Sequence, residues 1–174
     1  MNPDSQVRHA PVKILIAEDS PTQSARLQHI LELQAYEIYV AMNGRQALEM
    51  ARQFRPAMII SDVVMPEMDG YELARRIKDD PDLCHTPMIL VTSLSDPKDV
   101  IRGLESGADN FILKPYDEHY LLGRVRYVLA NRATRMLQDT RMGMEIYFNG
   151  QKHFIEAERL QILNLLLSTY EAAT

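Results

Sequence analysis

Four short apolar runs constrain this chain more than anything else in it. "VKILIA" (12–17), "AMIIS" (57–61), "PMILVTS" (87–93) and "NFIL" (110–113) are brief, rich in branched side chains and bounded by polar or turn-forming residues. Runs this short and this continuous read as strands covered on both faces. A further segment, "YEIYVAM" (36–42), alternates like a strand. The stretches between them carry helical periodicity. Ser20 and Pro21 suit an N-cap and first helical position, followed by a stripe of Leu27, Ile30 and Leu31. Residues 43–54 place Ala47, Leu48, Ala51 and Phe54 on one side, and residues 70–80 place Leu73 and Ile77 one turn apart. Pro97 opens and Gly107 closes another helix, and a long one is expected from about Asp117 to about Asp139. Every strand is expected to be too apolar for a solvated face. Strands that alternate with helices in this way argue for a parallel sheet with helices on both sides.

In such sheets ligands bind beyond the carboxyl ends of the strands. The residues there are Glu18 and Asp19, then Asp62, then Thr92, then Lys114 and Pro115. If the first strand is central and flanked by the third, these ends converge. Three carboxylates, a hydroxyl and an ammonium then share one pocket. Carboxylates that close raise one another's pKa. A hard cation such as Mg²⁺ relieves the repulsion, taking oxygen ligands while keeping several waters. One carboxylate can also act as a nucleophile and become an acyl phosphate. The transferring phosphoryl group spreads charge over three oxygens, which Mg²⁺, Lys114 and the Thr92 hydroxyl could each hold. Taken singly these residues are unremarked: Asp62 reads as a cap or loop acid, Asp19 as part of a capping turn with Ser20, and Thr92 and Lys114 as ordinary.

"AEDS", "SDVVMPEMDG", "VTS" and "LKP" fall in this order, each at the end of an expected strand. In that combination residues 12–136 resemble the receiver domain of two-component response regulators. The resemblance implies a flavodoxin-like, doubly wound five-stranded parallel α/β sheet in the order 2-1-3-4-5. It implies that Asp62 is the phosphoacceptor and that Glu18, Asp19, Asp62 and the Val64 main-chain carbonyl bind Mg²⁺ or Mn²⁺. Thr92 becomes the switch hydroxyl, Lys114 the phosphate-pairing lysine, and Phe111 the aromatic switch. The Lys114–Pro115 bond is expected to be cis, which proline makes accessible. The implied partner is a histidine kinase or a histidine phosphotransfer domain. The signal would leave through the face formed by strand four, helix four and strand five. Two residues depart from the commonest pattern: Glu18 stands where many receivers carry Asp, and Phe111, lacking a hydroxyl, replaces Tyr. Val64 and Leu94 are implied to flank the path of the hydrolytic water. Both are apolar and cannot orient it, so slow loss of the phosphoryl group is expected.

Composition narrows the alternatives. The formal net charge of −5 argues against a phosphate-backbone footprint, so no nucleic-acid partner is expected. The basic run 124–141 reads instead as the outer face of the long helix, and Arg75 and Arg76 as a solvated helix face. The lone Cys84 excludes an intrachain disulfide and fits a cytoplasmic setting. Residues 1–11 form a loose polar lead-in without the apolar core of a signal peptide, and no run is long enough to span a membrane. The histidines at 9, 29, 85, 119 and 153 show no metal-ligand spacing. A haloacid-dehalogenase-like phosphatase would place a second acid two residues after its nucleophile, where this chain has Val64. The domain is therefore not expected to be a turnover enzyme by itself. A degenerate receiver that only binds is the remaining alternative.

Residues 137–174 read as a C-terminal extension, too short for a winged-helix output domain. Asn149-Gly150 between β-forming segments signals a hairpin over about 144–156. A helix over about 156–172 places Leu160, Leu163, Leu167 and Tyr170 on a seam that needs a partner, either the receiver itself or a second copy. It reaches Thr174 with no glycine cap or proline stop, the expectation for a piece of a longer chain. The arrangement resembles the front end of a hybrid sensor histidine kinase, in which case the parent chain would be a kinase.

Overall fold

The computed structural model describes residues 9–93, 97–132, 143–148 and 151–156. The apolar runs become β1 (Lys13–Ala17), β3 (Met58–Asp62), β4 (Met88–Thr92) and β5 (Asn110–Leu113), and the alternating segment becomes β2 (Glu37–Ala41). They form one sheet in the order β2-β1-β3-β4-β5, and every pairing is parallel. The intervening helices are α1 (Pro21–Glu32), α2 (Gly44–Phe54), α3 (Gly70–Asp79), α4 (Pro97–Glu105) and α5 (Glu118–Ala130).

Alternation along the strands divides the core between the two faces. Leu15, Ile59 and Leu90 point to one side and pack with Leu48 and Ala51 of α2 and Leu73 and Ile77 of α3. Ile14, Ile16, Ile60 and Ile89 point to the other and pack with Leu27 and Leu31 of α1 and Leu121 and Val125 of α5. With apolar residues required on both sides, β1, β3 and β4 carry almost no polar interior positions. β2 is different. Four of its five residues are only half-buried, because an edge strand has one neighbour and incomplete cover. The expectation that every strand lacks a solvated face fails there.

Side-chain caps fix where four helices begin. Ser20, Asn43, Asp69 and Asp117 accept from the main-chain N–H groups of Gln23, Gln46, Glu72 and Tyr120. Each such cap stabilises its helix by about 1 kcal/mol. The strand ends differ from expectation by one residue: β3 runs one residue past Ser61 to end on Asp62, and β4 ends on Thr92, one residue short of Ser93. Asp62 and Thr92 are thus held by the sheet's own hydrogen bonding.

In the C-terminal part β6 (Gly143–Phe148) and β7 (Gln151–Glu156) pair antiparallel, with Phe148 opposite Gln151. β7 runs alongside α4, with Cα atoms approaching within 8 Å. α5 stops at Ala130, where Asn131 is its C-cap, so the long helix expected to reach about Asp139 ends nine residues early. Asn149, Gly150 and residues 157–172 of the helix expected over 156–172 lie outside the described residues. So do Leu94 and the first eight residues of the lead-in.

Candidate functional site

With β1 central and β3 beside it, the ends of β1, β3, β4 and β5 meet at one edge of the sheet. The oxygen atoms of Glu18, Asp19 and Asp62 come within 4.8 Å of one another. Lys114 reaches in from the end of β5, its Nζ donating to Asp62 Oδ2 at 3.0 Å and lying 4.0 Å from Glu18 Oε2. Thr92 is buried at the end of β4, and its carbonyl accepts from Lys114 N at 2.9 Å. The five groups singled out at the strand ends are therefore all assembled. The Lys114–Pro115 peptide is cis.

Each acid is held by its own strand end. Glu18 N donates to Ala41 O at 3.0 Å, which continues the β1–β2 ladder past Ala17. Glu18 Oε1 in turn accepts from Ser20 N at 3.0 Å, where α1 begins. Asp62 Oδ1 accepts from Val63 N at 2.7 Å, leaving Oδ2 for Lys114. Asp19 is exposed and completes the cluster from the solvent side. The three carboxylates make an all-oxygen donor set that fits a hard divalent cation, and among the described residues no histidine or cysteine joins the cluster.

Glu18 carries the electrostatic cost of this arrangement. Burial pushes its carboxyl up from 4.5 to about 7, the Asp62 charge pushes the same way, and the Ser20 N–H and Lys114 pull it back. A carboxyl held above its ordinary value keeps a proton in the folded chain at a pH where the unfolded chain has lost it. The metal-free fold therefore loses stability as the pH rises from 4.5 through about 7. Glu18→Gln removes that charge. In EDTA well above pH 7 it is expected to be more stable than the wild type. The gap should close as the pH falls toward 4.5. Urea unfolding at two pH values measures it, and an equal gap at both would disprove the assignment.

Phe111, on β5, is 3 % exposed and points into the core against α4, where a Cβ added to Gly103 would lie 2.8 Å from its ring. Val64 is 80 % exposed at the rim of a cavity of about 390 Å³ that also borders Asp62, Thr92 and Lys114. Three residues at the site escaped sequence reasoning. Gln23 on α1 accepts from Lys114 Nζ at 3.0 Å. Asp69, the α3 cap, pairs with Arg102 of α4 at 3.4 Å. Tyr71 of α3 is buried beside Thr92. A glutamine on an exposed helix turn and a tyrosine at a helix start carry no spacing signal that would have found them.

A family model described as the response regulator receiver domain matches residues 14–126, well over half of the chain. The chain belongs to that family. Receiver domains work in phosphorelay signalling, and that is the family function of this domain. Over 114 residues the receiver is 43 % identical to the response regulator PleD of Caulobacter vibrioides, covering 66 % of this chain and 25 % of that one. The chain thus spans about a quarter of that relative's length. The receiver domain of a signal transduction histidine kinase from Syntrophus aciditrophicus superposes with a TM-score of 0.67 at 46 % identity, covering 79 % of this chain and 98 % of the other. The receiver of sensor histidine kinase PA1611 from Pseudomonas aeruginosa, solved with a magnesium ion coordinated in its active-site cleft, gives 0.66 at 25 % identity, covering 70 % and 99 %. Among the described residues no helix is long and apolar enough to cross a membrane.

Proposed function

We propose that this receiver accepts a phosphoryl group on Asp62 from a phosphohistidine of a histidine kinase or phosphotransfer domain. The observation that carries the proposal is Lys114 Nζ at 3.0 Å from Asp62 Oδ2, beside acid oxygens gathered within 4.8 Å. Asp62 Oδ2 attacks phosphorus, a P–O bond forms, the P–N bond breaks, and the electron pair returns to the imidazole. Glu18, Asp19, Asp62 and the Val64 carbonyl would hold Mg²⁺ or Mn²⁺. When bound, the ion offsets charge on the incoming group, in line with the magnesium in the PA1611 cleft. Lys114, already paired with the nucleophile, moves its ammonium to a phosphoryl oxygen as the adduct forms. Thr92 offers its hydroxyl to another, drawing the end of β4 and with it α4. Phe111, packed against Gly103 of α4, follows that movement. The outcome is a shift between two packings of this face.

The signal then leaves through α4, β5 and the adjacent β7. The proposal takes residues 12–136 as the receiver and 137–174 as its extension, in a cytoplasmic setting without nucleic acid. Homodimerisation through the helix expected over 156–172 is part of it. The match to a kinase's receiver over 79 % of this chain supports a hybrid sensor kinase as the parent protein. Incubation with acetyl phosphate and Mg²⁺ tests the core of this: a single hydroxylamine-sensitive phosphoryl adduct should map to the peptide bearing Asp62. No adduct there would leave only the binding-module alternative.

The adduct should also be long-lived. Val64 is apolar and stands at the cavity rim, where it cannot orient a hydrolytic water, and Leu94 is apolar too. Decay of the purified adduct in Mg²⁺ is expected to take minutes or longer. Loss within seconds would refute the role given to these two side chains.

A further inference from the structure

Tyr71, the second residue of α3, is 1 % exposed, and its hydroxyl is shared between two elements. Oη donates to the Asp99 carbonyl of α4 at 3.2 Å. The same oxygen is hydrogen-bonded by the Thr92 side chain. Burial pushes the phenol up to about 12, so it stays protonated and remains a donor at neutral pH. With the phenol proton committed to Asp99, the proton between Tyr71 and Thr92 belongs to Thr92. Above the ring lies the Arg102 guanidinium, 4.9 Å from the ring centroid, which is itself tied to the Asp69 cap. Tyr71 is therefore clamped between α3 and α4 and cannot follow Thr92 if that side chain turns away.

A threonine hydroxyl has one proton to give. Thr92 and Tyr71 border the same cavity as Asp62 and Lys114. We propose that Tyr71 is a positioning residue that holds the Thr92 hydroxyl in the resting state, so that a phosphoryl group on Asp62 must win it from the phenol. This inference rests on the phosphoacceptor reading of Asp62. Transfer of the Thr92 hydrogen bond leaves the buried phenol oxygen with one partner fewer, its remaining bond being the one to the Asp99 carbonyl. The competition thus links the phosphorylated site to α4 through an α3 side chain. Phe111 has no hydroxyl to take that part.

The test is beryllofluoride, a phosphoryl mimic, titrated with Mg²⁺ into the full chain. Tyr71→Phe keeps the ring and removes the competitor, so binding should tighten by about two- to tenfold, the worth of one net hydrogen bond. In a Thr92→Val background the same substitution should change nothing. Scalar couplings should show the Thr92 side chain in one rotamer in the metal-free wild type and averaged in Tyr71→Phe. Equal affinity in Tyr71→Phe and wild type overturns the competition, as does the same gain in the Thr92→Val background or an unchanged Thr92 rotamer. Wild-type protein that takes no beryllofluoride overturns the phosphoacceptor reading as well, while the rotamer measurement, which needs neither metal nor phosphate, judges the Tyr71–Thr92 contact separately.

Discussion

Asp62→Ala is expected to abolish the phosphoryl adduct while leaving the sheet intact. The carboxylate is the only group at the end of β3 that can form the new P–O bond. Ser61, its neighbour, is fully buried and bonds its hydroxyl to the Asp62 carbonyl. Removal of the carboxylate would strand a charge if Lys114 depended on it alone. Lys114 keeps Gln23 Oε1 at 3.0 Å and Glu18 Oε2 at 4.0 Å, so its ammonium remains partnered. Glu18 is relieved as well, because the Asp62 charge is one of the causes that raise its carboxyl. The variant should therefore melt at or above the wild-type temperature, which separates lost chemistry from lost fold. Lys114→Ala should slow adduct formation by about 10²–10³-fold, the usual cost of one donor aimed at developing negative charge. Intact mass and thermal melting of both variants check these outcomes. An adduct that persists in Asp62→Ala would place the acceptor elsewhere.

Much of this site was legible in the sequence because the sheet does the assembling. Glu18, Asp62, Thr92 and Lys114 are scattered over almost a hundred positions, yet each stands at the carboxyl end of a strand. A parallel sheet sends all such ends to one edge. Apolar runs of strand length placed each group at a strand end, and the order 2-1-3-4-5 implied by the receiver resemblance made those ends converge. What could not be read was contact made across helices. Gln23 meets Lys114 because α1 starts directly beyond Glu18, and nothing in its neighbours marks it. Tyr71 follows a glycine and reads as an ordinary helical core residue, which it also is. Its hydroxyl gains meaning only from the Asp99 carbonyl, an atom with no sequence identity at all. β2 was misjudged for a different reason: its alternation and its edge place in the order 2-1-3-4-5 both pointed to partial exposure, but the apolar character of the other strands was extended to it.

Gly70→Ala should be the most damaging of the small substitutions. A Cβ at this position would lie 2.3 Å from the Asp62 carbonyl oxygen and 2.9 Å from Val63 Cα. Both are main-chain atoms, so no side-chain rotation relieves the clash. Gly70 N donates to Val63 O at 2.8 Å, and that bond is what draws the start of α3 so close to the end of β3. The methyl group must push the two apart and lengthen the bond. The movement would carry Asp62, Val63, the Asp69 cap and Tyr71 together, since all four flank the contact. A loss of about 3 kcal/mol is expected from overpacking of this kind. The folded fraction should also bind Mg²⁺ more weakly, because two of the proposed ligands, the Asp62 carboxylate and the Val64 carbonyl, depend on this backbone. Gly123→Ala supplies the contrast. Gly123 is exposed in α5, and an added Cβ meets nothing within 4 Å. There alanine should stabilise the chain by about 0.5–1 kcal/mol, the ordinary helix-interior difference. Chemical denaturation of the two variants, with Mg²⁺ titrations of the folded forms, decides the matter. If Gly70→Ala melts like Gly123→Ala, the close approach of α3 to β3 is not what positions Asp62.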